Sequence, residues 1–99
     1  MVTMRAVHEA AGSREVTLEM VDAPGHVVTE GALYLGGTPF KSPILVSPSA
    51  PATLSVPKRP VEFRGQTAGN AGYTLRAKEA GQVVSKTAGT APDFFTLVF

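Results

Sequence analysis

Two histidines, His8 and His26, are the residues of this chain best placed to move a proton or bind a metal near neutral pH. His8 adjoins Glu9, and His26 precedes Glu30 by a few residues. A zinc centre draws three or four ligands from several directions, and each of these pairs supplies only part of such a set. His26 follows Pro24-Gly25, a turn dipeptide, so it is expected on a loop, where a surface histidine is the commoner outcome. Serine hydrolysis would need a nucleophile, a base and an orienting carboxylate. The chain has no Gly-x-Ser-x-Gly elbow, and Ser42, Ser47, Ser49 and Ser55 stand among prolines. The glycine-rich stretch Gly65–Gly72 is followed by a strand pattern, not by Gly-Lys-Ser/Thr and a helix. It reads as a flexible inter-strand loop. Glu15 and Glu19, with Thr17 between them, read as a solvated strand face in preference to a catalytic pair. Lys58-Arg59, Arg64, Arg76 and Lys78 form no basic stripe with interleaved aromatics; Arg64, Arg76 and Lys78 are expected to share one sheet face. No catalytic, cofactor-binding or metal-ligating residue is assigned, no cofactor is expected, and the chain reads as non-enzymatic.

The elements that must carry these residues belong to one small domain. A chain of 99 residues matches a single domain and can bury roughly two-thirds of its unfolded surface. Hydrophobic residues make up 43% and charged residues 17%, a balance that argues against disorder. The net charge of +1 supplies no strong field towards nucleic acid or an anionic membrane. Absence of cysteine removes disulfides, thiolate metal sites and cysteine nucleophiles, and suits folding in the cytoplasm. The sequence shows neither a signal-peptide h-region nor an apolar run of membrane-spanning length. A Met start and a terminal strand pattern read as a complete small product, and a domain cut from a longer chain would look the same.

Period-two alternation recurs along the chain. Val16, Leu18 and Met20 share one face of a strand whose other face carries Glu15, Thr17 and Glu19. Asp22–Gly25 is a turn. A strand around Gly31–Leu35 ends at Gly36-Gly37, a hairpin dipeptide. Val61-Glu62-Phe63, Tyr73–Lys78, Val83–Thr87 and Phe94–Phe99 continue the pattern, with Glu79–Gln82 as a turn. The best helical stretch is Thr3 to Ala11, part of an N-terminal arm or first strand over residues 1–13. The expected fold is all-β: a two-sheet antiparallel sandwich of 7–8 short strands. Its core is expected to contain Leu18, Met20, Leu33, Leu35, Phe63, Tyr73 and Leu75. Six of the eight prolines lie between Pro39 and Pro60. Proline cannot donate to a ladder, so residues 39–60 are expected to form interrupted edge strands or an extended wrap. Protection of a sheet edge and a semi-rigid docking arm are both compatible with that composition.

Asn70-Ala71-Gly72-Tyr73-Thr74-Leu75-Arg76-Ala77 resembles the Asp-x-Gly-x-Tyr-x-Cys-x-Ala stretch of immunoglobulin-like domains, closest to the intermediate set. Tyr73 matches the corner tyrosine, Leu75 stands in the cysteine position, and Gly81 matches the glycine of the following hairpin. The chain departs from the pattern in Asn70 and in a gap one residue shorter between glycine and tyrosine, so the corner is left open. Val16–Met20 resembles the second strand, with Met20 in the place of the first cysteine. Ala32–Pro39 resembles the third strand and its turn, with Leu33 in the place of the core tryptophan. Gly37–Pro43 also resembles segments of filamin-type sandwiches. The resemblance covers residues 14–99 and implies that Met20 and Leu75 face each other where a bridge would join the layers.

That resemblance implies a structural or interaction module. Immunoglobulin-like domains recur as accessory proteins of phage virions, so the leading expectation is a decoration-type capsid or tail protein. It would fold in the cytoplasm and then sit on the virion surface, bound to capsid or tail subunits or to further copies of itself. Nucleic acid and membrane are not expected partners. The alternative is a carbohydrate- or protein-binding domain excised from a larger cell-surface or cytoskeletal protein. Contact residues in either case are expected among Tyr34, Pro39, Phe40, Pro43, Pro48, Pro51 and His26, with the loops at Asp22–His26, Ser47–Ala52 and Glu79–Gln82 free for contact.

Overall fold

Alternating side chains and short turns fold this chain into strands throughout the described region. The computed structural model describes residues 12–99; the expected N-terminal helix or arm lies outside them, apart from its last two residues. Eight strands follow in order: β1 (Ser13–Val21), β2 (Val28–Leu35), β3 (Thr38–Val46), β4 (Ala52–Pro57), β5 (Glu62–Ala68), β6 (Gly72–Glu79), β7 (Gln82–Thr90) and β8 (Phe94–Val98). They form two four-stranded antiparallel sheets, ordered β4-β1-β6-β7 and β3-β2-β5-β8. The all-β sandwich expected from the alternation is the fold observed.

Tight turns set the register of two hairpins. Gly36 and Gly37 both have positive φ, and Leu35 pairs with Thr38 directly across them, as a two-residue primed turn requires. Ala80 and Gly81 repeat the arrangement between Glu79 and Gln82. The registers place the connections at two ends of an elongated molecule, 54 × 27 × 17 Å. One end gathers the β1–β2, β3–β4, β5–β6 and β7–β8 connections. The other gathers the two hairpin turns, the β4–β5 link and Phe99. The loops at residues 22–26 and 47–52 therefore lie together, and the turn at 79–82 lies opposite.

The interior is apolar and draws on both sheets. Val16, Leu18, Met20, Val56, Tyr73, Leu75 and Ala77 come from the first; Leu33, Ile44, Val46, Phe63, Phe95 and Leu97 come from the second. Phe63 and Phe95 meet edge to face with ring centroids 5.0 Å apart, a favoured aromatic geometry. Leu35 differs from the other expected core residues. It is half-buried and rests against the rim of the cluster, because it ends β2 at the hairpin, where the opposing layer gives out.

Two further points differ from the sequence-based expectation, and a third decides between two alternatives. Met20 and Leu75 are register partners on neighbouring strands of one sheet, not opposed residues of two sheets. The strand that carries Tyr73 pairs with β1 because the alternation of both strands fits a shared layer equally well. Gly65–Ala68 is not loop but the end of β5. Gly65 pairs with Gly31 on β2, and a Cβ on either glycine would strike the facing backbone, so glycine here marks close strand approach. The proline-rich stretch takes the first of its two expected forms, interrupted edge strands, and not the wrap. It forms β3 and β4, each at the edge of its sheet, with a register shift in the β2–β3 pairing between Gly31 and Leu33, opposite Pro43.

Leu75 is fully buried and touches the cluster from its centre. Leu75→Ala is expected to cost about 2–5 kcal/mol, a large share of the stability of a small domain. Urea denaturation measures it, and a loss below about 1 kcal/mol would contradict this placement.

Candidate binding faces and the tyrosine clasp

The outer faces of the two sheets differ in chemistry. On the β4-β1-β6-β7 sheet, outward positions hold Glu15, Thr17, Glu19, Thr53, Arg76, Lys78 and Lys86. Glu19 accepts from Arg76 Nε and lies 3.8 Å from Lys78 Nζ. Thr17 and Thr53 hydroxyls meet at 3.1 Å. Arg14, at the strand's start, donates to Glu79 at 3.0 Å and to the carbonyls of Pro57 and Arg59 at 3.1 Å. Glu19, Arg76 and Lys78 thus share one ion-pair cluster on this face. Arg64 lies on the opposite face of the molecule from Arg76 and Lys78, so the expected common basic face does not form: β5 and β6 belong to different layers.

The outer face of β3-β2-β5-β8 is more apolar. Val28, Leu45, Phe94 and Val98 are exposed there, Phe94 by 81% and Leu45 by 62%. Tyr34 points outward from β2, and the Arg64 guanidinium sits 4.4 Å from its ring centroid, a cation–π contact. Glu62 holds the same guanidinium, with Nε 2.7 Å from Oε1. A groove of 490 Å³ runs between the upper ends of β2, β3 and β5, lined by Val28, Leu45, Ala50 and Ala68 among others. A shallower depression adjoins Tyr34, Pro43 and Arg64.

The sequence-expected contact residues divide between three places. Tyr34, Pro39, Phe40 and Pro43 lie on or beside the β2–β3 hairpin, and Phe40 is exposed. Pro48 and Pro51 sit in the β3–β4 connection at the far end. His26 lies on the β1–β2 loop, exposed, with Nε2 2.6 Å from Asn70 Oδ1, so it ties two loops together. The structure does not gather all seven into one surface. Leu45, Phe94 and Val98 were not singled out from sequence, although the alternation Phe94-x-Thr96-x-Val98 opposite buried Phe95 and Leu97 carries the signal. Among the described residues no group of three or more His, Asp or Glu side chains is placed to hold a metal ion. No described helix is long and apolar enough to cross a membrane. His8 and Glu9 lie outside the described residues.

Tyr73 forms a corner of another kind from the one its motif implies. Its hydroxyl donates to the Asp93 carboxylate, 2.9 and 3.0 Å from the two oxygens. The Thr67 hydroxyl also donates to that carboxylate and accepts from Asp93 N–H at 3.0 Å, and Thr67 N–H donates to Asp93 carbonyl at 2.9 Å. Tyr73 belongs to one sheet, Thr67 to the other, and Asp93 to the connection between β7 and β8. The clasp therefore joins the layers at one end. Burial and the neighbouring Asp93 push the Tyr73 phenol from its ordinary 10.0 up to about 12. Loss of this proton is resisted, so the group serves as a fixed donor, not as a base.

No family model, no curated protein and no solved structure matches this chain.

A hydrogen bond to a charged partner is worth about 1.5–3 kcal/mol, so Tyr73→Phe is expected to lower stability by that amount at neutral pH. The folded phenol titrates above the unfolded one. Its contribution is thus complete below the unfolded value of 10.0 and is lost as pH rises towards about 12. Urea unfolding of both proteins across that range should show the gap between them closing, and a constant gap would refute the assignment.

Proposed function

We propose that this chain is a non-enzymatic interaction module that docks through the outer face of β3-β2-β5-β8. The contrast between the two faces carries the reading. One face centres on the Glu19–Arg76–Lys78 ion-pair cluster. The other leaves Leu45, Phe94 and Val98 in solvent around the Tyr34–Arg64 contact. Aromatic and Arg side chains beside exposed apolar area are the composition of protein-binding anchors.

The strand order supports an immunoglobulin-like reading on a correspondence different from the one drawn from the tyrosine motif. Order β3-β2-β5-β8 parallels the C′-C-F-G sheet, and β4-β1 parallels E-B. Hairpin β6–β7 then fills the position beside β1 that the first strand takes in that family. On this reading the setting we favour is an accessory protein of a phage virion, attached to capsid or tail subunits. That setting rests on fold-level analogy and on the Ala-, Gly-, Thr- and Pro-rich composition. Attachment of several copies to a repeating lattice would offset weak individual contacts.

Tyr34→Ala combined with Leu45→Asp is expected to reduce co-sedimentation with virions at least tenfold while leaving the thermal midpoint near wild type. Glu15→Lys on the other face should change neither. Full retention by the double variant would exclude this face. Loss on substituting His26 and Pro48 instead would favour a loop-based binder.

A further inference from the structure

We infer that β8 is a self-pairing edge through which two copies of this chain join their β3-β2-β5-β8 sheets into one continuous sheet around a two-fold axis at Thr96. The inference stands on edge chemistry and does not depend on the docking reading above.

The sandwich has four edge strands: β4, β7, β3 and β8. Natural edges are blunted by proline, charge or bulges. β3 carries Pro39, Lys41 and Pro43, β4 ends in Pro57, and β7 carries Lys86. Segment Phe94-Phe95-Thr96-Leu97-Val98 has neither proline nor charge. Among the described residues its outer side has no strand partner.

Hydrogen bonding shows which backbone groups are free. Asp93 carbonyl accepts from Thr67, and Phe99 exchanges both its bonds with Val61. The antiparallel register with β5 then turns Phe95 and Leu97 inward as well. Phe94, Thr96 and Val98 are left with N–H and C=O directed away from the sheet. An antiparallel copy centred on Thr96 sets Phe94 against Val98 and Thr96 against Thr96. Every outward residue then falls in a hydrogen-bonded pair, giving about six inter-strand bonds. A register moved by one residue would break this match. The side-chain pairs also suit the arrangement. Phe94, 81% exposed, meets Val98, 50% exposed, an aromatic–β-branched pair, and the threonines meet each other. No like charges oppose across the axis, and the contact is isologous, so it closes at two copies. A five-residue edge is a small interface, so the dimer is of the weak class.

Sedimentation equilibrium of the full chain up to about 1 mM tests the inference. The wild type should show a monomer–dimer equilibrium. Thr96→Lys places two like charges face to face, and Thr96→Pro removes an N–H that the β5 ladder does not use. Each should weaken association at least tenfold, with the thermal midpoint of the monomer retained. Thr96→Cys adds the only cysteine and should form a symmetric disulfide dimer on mild oxidation, since such pairs hold Cα atoms about 5.5 Å apart. Val84→Cys on β7 should not. A wild type that stays monomeric throughout overturns the proposal, including the case in which residues 1–11 cover β8. So does a dimer indifferent to Thr96→Lys and Thr96→Pro, which would place the contact elsewhere.

Discussion

The dry contact between the two sheets is the constraint from which the rest of the structure follows. Only Thr29 and Thr67 are buried polar residues among those described, and both hydroxyls have partners. An unpaired polar group at this depth would cost about 1–3 kcal/mol, so alternation has to hold along nearly every strand. That requirement sends each polar residue either to an outer face or to an edge. The two outer faces are therefore not independent surfaces with independent histories. They receive what the core refuses, and the difference between an ion-paired face and an apolar one is a difference of sequence at outward positions alone.

Edges show the same logic. A sandwich that does not close into a barrel must leave backbone groups free at four strands. The prolines of residues 39–60 concentrate on β3 and β4, which lie at one side of the sandwich. The opposite side, β7 and β8, has no proline within its strands. Proline protection is thus lateral: on the opposite flank β7 carries the charge of Lys86, and β8 has neither proline nor charge. A very short edge strand is itself a form of protection, and β8 is the shortest of the eight described strands.

Much of this was legible in the sequence. Period two exposed β1, β6 and β8 and the inward placement of Leu18, Met20, Phe63, Tyr73 and Leu75. Gly36-Gly37 located a hairpin. Proline content pointed to edges. Sheet membership was not legible, because a half-buried strand has the same pattern whichever layer it joins. For this reason Tyr73-x-Leu75 fits a layer opposite β1 as well as the place beside β1 that it takes. The end of β5 was hidden because glycine commonly signals a turn, and only the Gly31–Gly65 approach reveals the strand. Asp93 gave no local hint of its role, since its partners, Thr67 and Tyr73, are distant in sequence.

Those distant partners also account for how the layers are tied without sulfur. A bridge between sheets acts by restricting the unfolded chain. The Tyr73–Asp93–Thr67 clasp acts on the folded state, by giving a half-buried carboxylate donors from both sheets at once. It sits at the end of the sandwich where four connections gather, far from the end that holds the two hairpin turns and the Arg14 contacts with Glu79, Pro57 and Arg59. Each end is thus secured differently: primed turns and the Arg14 contacts at one, and the tyrosine–carboxylate clasp between sheets at the other. Only the second depends on a protonated phenol, and none depends on the redox state of the surroundings. A chain without cysteine can keep its layers in register in this way in reducing and oxidising compartments alike.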